Sequence, residues 1–531
     1  MSLSGAFIGA FLVLWISARW WYAPDRWRPA GGLLIAGVAG VLALTLLGAG
    51  LYVRAPGYWD HLEPALAMKA QAVARGEPAY PGVDAAVRTQ LVYGPAAFLP
   101  NAALGHLFQD PMAGSKIVAM TTGALALAIL LAAVARRGGS GGPWAMLCTL
   151  LAFGLFRQII FRHQADSLVM VGIVTALAGV ITGSRTWTPL LWALGFAIAT
   201  ATKLHAALFV VPFIPVFLAS HGFRTVALST AAGGVLSLVP FGLERFDLHA
   251  YRDGLVAVSR HGLEPGLLVR NLATAGVLAV PLGVTWWARG TRTQPAKGTG
   301  GMAAATVLSV IGVCVVGAKE GAGLHHLLPL CATFPLLCMT VADERSAGSA
   351  DGRVSNRARQ SLIGAWVLAV LFQGAMVQRS YIRFLGTPSS DAFQTDARLL
   401  AAALMRGAPG RVAIGYTDDG AYGRMWVRPL FARVISTDLF EPLSIADMAR
   451  AGHPIGDATL TGIANQTVDT FILPSDGVPF SMTNWYDREQ PLFGKALTEI
   501  FQSNYHVHER HGAFTVWRAN RLLRDLALLP R

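Results

Sequence analysis

The feature that most constrains this chain is the recurrence of apolar runs of about 15–22 residues, the length a helix needs to cross a bilayer. They fall near 2–18, 31–52, 114–135, 144–161, 166–182, 188–202, 205–219, 225–243, 268–287, 302–318, 325–341 and 361–381. A backbone in hydrocarbon must satisfy its own hydrogen bonds, so such runs read as helices. The expected body is therefore an all-α polytopic membrane domain of about twelve transmembrane helices. Composition agrees: 14% of residues are charged and the mean hydropathy is +0.48. An ordinary soluble domain carries about 25% charged residues, and a disordered chain lacks this hydrophobicity, so both classes are excluded.

The formal net charge is +13. On a soluble protein that would suggest nucleic acid, but no basic tail or aromatic-basic alternation is present, so no nucleic-acid partner is expected. The basic residues sort instead by loop. Arg19, Arg26 and Arg28, then Arg136 and Arg137, Arg185 and Arg224, Arg289, Arg292 and Lys297, and Arg345 through Arg359 occupy alternate connections. Those connections are expected in the cytoplasm, next to acidic lipids. Arg19 follows the first apolar run, which suggests a first helix rather than a cleaved signal peptide. Both termini then fall outside the cytoplasm. The expected location is a bacterial cytoplasmic (inner) membrane, multi-pass. Cys148, Cys314, Cys331 and Cys338 all lie in apolar stretches without CxxC spacing and read as buried free thiols.

Two outer segments are long. In the first, 53–113, Leu62, Leu66, Ala70 and Val73 form one stripe with Glu63 and Lys69 off it, the pattern of an interfacial amphipathic helix over 60–75. The second is the tail, 386–531, where the composition turns polar. Strand-like 411–416 and 470–474 there alternate with helix-like 391–406 and 494–504. The expected division is a transmembrane domain over 1–385, carrying the large loop 53–113, and an extracytoplasmic α/β domain over 386–531.

Charges at span ends are costly and ask for a reason. Asp60 directly follows the second run, within Tyr58-Trp59-Asp60-His61-Leu62-Glu63. It suits either an N-cap of the following helix or a carboxylate that takes a proton from a hydroxyl. Arg162, His163 and Asp166 crowd a short turn suited to an anionic head group; Asp166 could equally cap the fifth helix. Lys203, followed by His205, interrupts an apolar run, and Lys319, Glu320, His325 and His326 make another outer turn. All four clusters are expected on one face of the membrane, rimming an outward cavity. Its cations suit a phosphate or diphosphate leaving group, and its carboxylates an acceptor hydroxyl or a divalent metal ion.

Taken in order, these pieces resemble the GT-C membrane glycosyltransferases that use polyprenyl-phosphate sugars, among them the protein O-mannosyltransferases and the lipid A aminoarabinose transferase. The matching residues are Trp59 through Glu63, Gly76 through Tyr80, Tyr93-Gly94-Pro95, Arg162 through Asp166, Thr202-Lys203, Lys319 through Pro329, and a closing strand pair over 505–518. The resemblance implies a GT-C-like fold and a hexosyl- or pentosyltransferase. It implies Asp60 as base or acceptor-orienting group and Asp166 as the second acidic position. It assigns Lys203 and Lys319 to the lipid phosphate, joined by Arg162 and His326 from their positions. Glu63 and His61 are left as acceptor- or metal-linked residues. Many members follow the first aspartate directly with Glu; here His61 stands there and Glu63 comes two positions later. The implied partners are a polyprenyl-phosphate-linked sugar, membrane lipids, and a lipid, glycan or protein acceptor. The competing readings are a transporter or flippase of a lipid-linked glycan and a non-catalytic assembly protein for envelope polysaccharide. Charges at span ends rather than near the midplane favour the enzyme.

Overall fold

A computed structural model of the chain describes residues 50–55, 57–137, 164–288, 299–322, 324–327, 329–330, 390–407 and 410–527. In chain order the elements used below are α1 (Leu62–Ala74), α2 (Pro111–Arg137), α3 (Gln164–Thr182), α4 (Trp187–Thr202), α5 (Ile214–Leu238), α6 (Leu248–Ser259), α7 (Pro265–Ala288), α8 (Thr299–Val316), α9 (Ser390–Gly407), β1 (Val412–Ile414), α10 (Asp419–Tyr422), α11 (Pro442–Arg450), β2 (Thr470–Pro474), α12 (Lys495–Asn504), β3 (Tyr505–His511) and β4 (Phe514–Ala519). Among the described residues, the stretches Pro111–Ala133, Ala165–Thr182 and Leu204–Gly242 are long and apolar enough to cross a membrane. Trp187–Thr202 and Gly301–Val316 are shorter apolar helices. The expected spans 2–18, 144–161 and 361–381, all of 31–52 but its last three residues, and 325–341 apart from 325–327 and 329–330, lie outside the described residues.

Of the expected spans 205–219 and 225–243, the first becomes helical later than expected: Leu204–Phe209 and Val211–Phe213 are 3-10 turns, and the helix begins at Ile214. Two helical stretches, labelled together α5, then meet at a non-helical Gly222 (φ 76°, ψ 163°) and run to Leu238, so the break falls between the two expected spans. Pro212 and Pro215 explain the late start, since proline lacks the donor a helix interior needs.

The described residues fall into two compact units. One takes those of 50–53, 119–237 and 263–330; the other takes those of 54–118, 238–262 and 390–527. In the first unit, α3 and α4 form an antiparallel helix pair joined by residues 183–186. Their backbones touch where both sequences offer glycine. A Cβ at Gly172 would come within 2.5 Å of Ala199 N, and one at Gly195 would overlap the backbone of Gly172 and Ala176. Small residues let helices approach this closely inside a membrane. Gly195→Val is therefore expected to lower thermal stability in detergent by about 3 kcal/mol or more, through overpacking that backbone cannot relieve; a variant melting with the parent would contradict the close approach.

In the second unit, a four-stranded sheet has the order β1-β2-β4-β3. β1 and β2 are parallel, while β4 pairs antiparallel with β2 and with β3. Gly512 (φ 54°) turns the β3–β4 hairpin. Beneath the sheet an aromatic core of Phe471, Phe480, Phe493, Phe501 and Phe514 is closed to solvent. The apolar residues of β2 are all buried, which is why that strand reads as a continuous run rather than an alternation.

The helix expected over 60–75 forms as α1, but it is not interfacial. Glu63 is 5% exposed and Lys69 2%. Both polar residues have internal partners: Glu63 accepts backbone N–H groups, and Lys69 Nζ donates to Thr89 Oγ1 at 2.6 Å. Ala67 and Met68 join the core that the sheet covers. A half-apolar stripe cannot distinguish a membrane surface from a protein interior.

Candidate functional site

The sequence-predicted residues fall into separate groups in the two units. In the second unit, Asp60 opens α1. Its Oδ1 accepts from Leu62 N (2.9 Å) and Glu63 N (3.4 Å), while Glu63 Oε1 accepts from Trp59 N (2.9 Å) and Asp60 N (3.2 Å). This reciprocal capping box uses Asp60 and Glu63 as an N-cap and its partner three residues on. The capping role considered for Asp60 is thus real, and it also fixes the carboxylate in one orientation. Asp60 and His61 stay half-buried, while Glu63 is buried. The His61 ring lies 5.4 Å from Trp485 and 6.5 Å from Tyr422.

The backbone before Asp60 is held by residues that the sequence reading did not single out. Lys116 Nζ, in the first turns of α2, donates to the carbonyls of Ala55 and Gly57, both at 2.7 Å, and lies 5.4 Å over the Tyr58 ring. Tyr58 Oη and Ser115 Oγ share a hydrogen bond of 2.6 Å. Lys116 lies at the start of an apolar run, and a buried ammonium there was the one available signal. Lys116→Met is expected to cost about 2–3 kcal/mol of stability by removing a charged donor from two carbonyls. Thermal unfolding of purified protein checks this; an unchanged midpoint would contradict the clamp.

Behind this loop lies a buried ion pair, Arg428 with Glu441, flanked by Tyr416, Tyr422 and Asp438. Burial pushes the Glu441 carboxyl up to about 7, and it raises Asp438 and the Tyr422 phenol too; Asp60 adds to the rise at Tyr422. Burial lowers Lys69 to about 8, against the pull of Asp438 and Glu77. All these groups sit in a region where every charge is matched against another rather than against water.

In the first unit the helix pair places the start of α3 beside the end of α4. Asp166, in the first turn of α3, and Lys203, just past α4, meet at 2.5 Å with side chains 4% and 5% exposed. The sequence reading gave these residues separate roles, one acidic and one for the lipid phosphate. The structure brings them together as a buried pair. Just beyond, His205 Nε2 and His326 Nδ1 are 3.2 Å apart, so at most one of the facing nitrogens carries a proton. Lys319 is half-buried and bridges to Leu263 through the backbone. Arg162 lies outside the described residues.

Of His61 and Glu63, the residues linked to an acceptor or a metal, Glu63 Oε1 accepts backbone N–H groups and the His61 ring packs beside Trp485. Among the described residues no three His, Cys, Asp or Glu side chains converge.

No protein-family model and no curated protein sequence matches the chain. Solved structures do. The crystal structure of ArnT from Cupriavidus metallidurans bound to undecaprenyl phosphate is similar over 90% of this chain and 97% of its own, at 12% identity and a TM-score of 0.53. The same protein in the apo state is similar over 91% and 98%, at 11% identity and a TM-score of 0.51. At this identity the likeness is one of fold: the chain has an ArnT-like, polytopic membrane fold.

Proposed function

We propose that this protein is a membrane glycosyltransferase that moves a sugar from a polyprenyl-phosphate donor to an acceptor hydroxyl on the extracytoplasmic face. The observation that carries this reading is the fold shared over nearly the whole chain with a protein crystallised on undecaprenyl phosphate. In the reaction the acceptor oxygen forms a bond to the anomeric carbon while the bond from that carbon to the phosphate oxygen breaks. The electron pair leaves with the polyprenyl phosphate, and the acceptor proton passes to the Asp60 carboxylate. Capping holds that carboxylate in place, so little reorganisation is needed when the proton arrives. Lys319, Lys203, Arg162 and His326 are assigned to the lipid phosphate, where cations stabilise the developing charge. Asp166 orients Lys203. Glu63 completes the cap rather than taking part in transfer.

The extracytoplasmic assignment of 53–113 and 386–531 belongs to the same proposal and follows from the basic residues of the alternate loops. The test is to supply purified protein with radiolabelled polyprenyl-phosphate hexoses and pentoses and an envelope extract as acceptor source. Loss of label from one lipid donor class with gain in a second product supports the enzyme. An intact donor pool across both classes contradicts it.

A further inference from the structure

Two short turns in the first unit make a contact that neither the helix pair nor the buried ion pair requires. The 3-10 turn Leu204–Phe209 follows Lys203, and the 3-10 turn Leu324–Leu327 comes shortly after Lys319. They set His205 and His326 side by side, with Nε2 and Nδ1 3.2 Å apart, ring centroids 4.9 Å apart and ring planes at 59°. Both residues are half-buried. Helix α8 braces the two turns. Its Ser309 Oγ donates to Leu208 O (2.7 Å), and Gly317, just past its end, lies so near the second turn that a Cβ there would come 3.5 Å from His326 Cβ. The Phe209 ring stands 6.3 Å from His205 on its own turn.

Two imidazole nitrogens at this distance are hydrogen-bonded when one proton lies between them. The bond survives as the pair goes from neutral to singly charged, because that proton adds to an outward nitrogen. A further proton would set two N–H groups against each other and break it. The pair is thus built to hold one extra proton spread over two rings. The other titratable groups on the elements packed against the turns are Lys203, paired with Asp166, then Lys319 and Glu320 after α8, the buried Cys314 thiol on α8, and the exposed Arg270 and Glu264 of α7 and the residue before it. Three cations there match three carboxylates in number. The imidazole pair is the group whose charge changes near neutral pH.

The proposed transfer changes the charge of its phosphate. The donor is a phosphodiester with one negative charge. When the bond from the anomeric carbon to the phosphate oxygen breaks, the electron pair stays on that oxygen. The product is a monoester whose second ionisation lies at about pH 6, so it gains a second negative charge near neutrality. One positive charge gained at the site would match it. A lysine, already charged, cannot supply that change, whereas an imidazole pair can, with a proton from water.

We propose that His205 and His326 work as one proton-binding unit at the lipid phosphate: His326 Nδ1 donates to His205 Nε2, and His326 takes a solvent proton on Nε2 as the phosphate leaves the sugar, returning it when the polyprenyl phosphate departs. His205 is the positioning residue. It fixes the His326 ring by accepting its Nδ1–H and shares the added charge. This rests on the assignment of His326 to the lipid phosphate and is independent of Asp60 as the base.

The experiment uses the full chain in nanodiscs and, as the probe, farnesyl phosphate kept below its micelle concentration. Calorimetric titration near neutral pH, in buffers of different ionisation enthalpy, reads the protons taken up with each phosphate bound; affinity is then followed as pH is raised. The wild type is expected to take up about half a proton or more per phosphate. His326→Gln should lose that uptake. His205→Phe removes the acceptor for Nδ1–H and should lower the pH at which affinity falls by about one unit. His205→Gln, whose amide oxygen accepts the same hydrogen bond, should restore most of that shift. His205→Leu repeats the test should the larger ring disturb the turn. Binding without proton uptake overturns the pair, as does uptake unchanged in His326→Gln, which would put the proton on the phosphate itself. A folded His205→Phe protein with the wild-type pH dependence overturns it as well. If the wild type does not bind farnesyl phosphate, the lipid-phosphate assignment falls and the pair with it. Proton uptake by a wild type that never consumes a sugar donor would spare the pair and sink the transferase reading.

Discussion

Asp60→Asn is expected to abolish transfer by at least about a hundredfold while leaving folding and membrane insertion intact. The asymmetry comes from the two jobs the residue holds. As a cap it accepts from Leu62 N and Glu63 N, and asparagine caps as well as aspartate. As a base it must receive a proton, which an amide oxygen cannot do near neutral pH. General-base contributions of ~10²–10⁴-fold set the size of the loss. Asp60→Ala removes both functions and should also lose about 1 kcal/mol of stability. Glu63→Gln serves as the internal comparison. Glutamine completes a capping box, so that variant should fold and keep its activity. Donor consumption and thermal unfolding, measured on the same preparations, decide the matter. A fully active Asp60→Asn enzyme would move the base to Asp166 or Glu63.

The second large effect is on stability. Lys203→Met is expected to destabilise the first unit by about 3–5 kcal/mol, because it leaves the Asp166 carboxylate buried without its counter-charge. Lys203→Met combined with Asp166→Leu should recover most of that loss, since a buried pair replaced by apolar residues of similar volume is often neutral. The paired variant makes the functional question accessible. If it is stable yet no longer uses the lipid donor, the Asp166–Lys203 pair serves the donor as well as the fold. If the single variant unfolds with the parent, the pair carries no stability. Unfolding midpoints in detergent, followed by donor titration, give both readings.

The polar tail was the most legible part of the fold. Its strand over 470–474 and helix over 495–504 appear almost as the residues imply, because short apolar runs there are bounded by turn-forming residues. The closing strand pair that the family resemblance implies over 505–518 forms as β3 and β4. By contrast, the burial of α1 was not legible. It depends on packing with elements hundreds of residues away, and hydrophobic periodicity reports only that one face wants to leave water. The same limit applied to the site. Asp60 stood out because a carboxylate at the end of an apolar run is conspicuous, yet Glu63 could not be read as its capping partner until the turn was seen. Asp166 and Lys203 were visible as two costly charges 37 residues apart. Their meeting follows from the antiparallel return of α4 along α3, which the glycines at 172 and 195 permit. Lys116 escaped notice because its partners are main-chain carbonyls, and no side-chain pattern in the sequence marks a carbonyl as an acceptor.

The central claim is that the protein breaks a sugar–phosphate bond rather than carrying a lipid-linked sugar across the membrane. Reconstitution into sealed proteoliposomes with a radiolabelled polyprenyl-phosphate sugar and an acceptor tests it most directly, by separating free polyprenyl phosphate from intact donor over time. The expected result is protein-dependent release of free polyprenyl phosphate, matched by labelled acceptor and lost in Asp60→Asn. Donor that changes leaflet but stays chemically intact, at the same rate in the wild type and in Asp60→Asn, would contradict it.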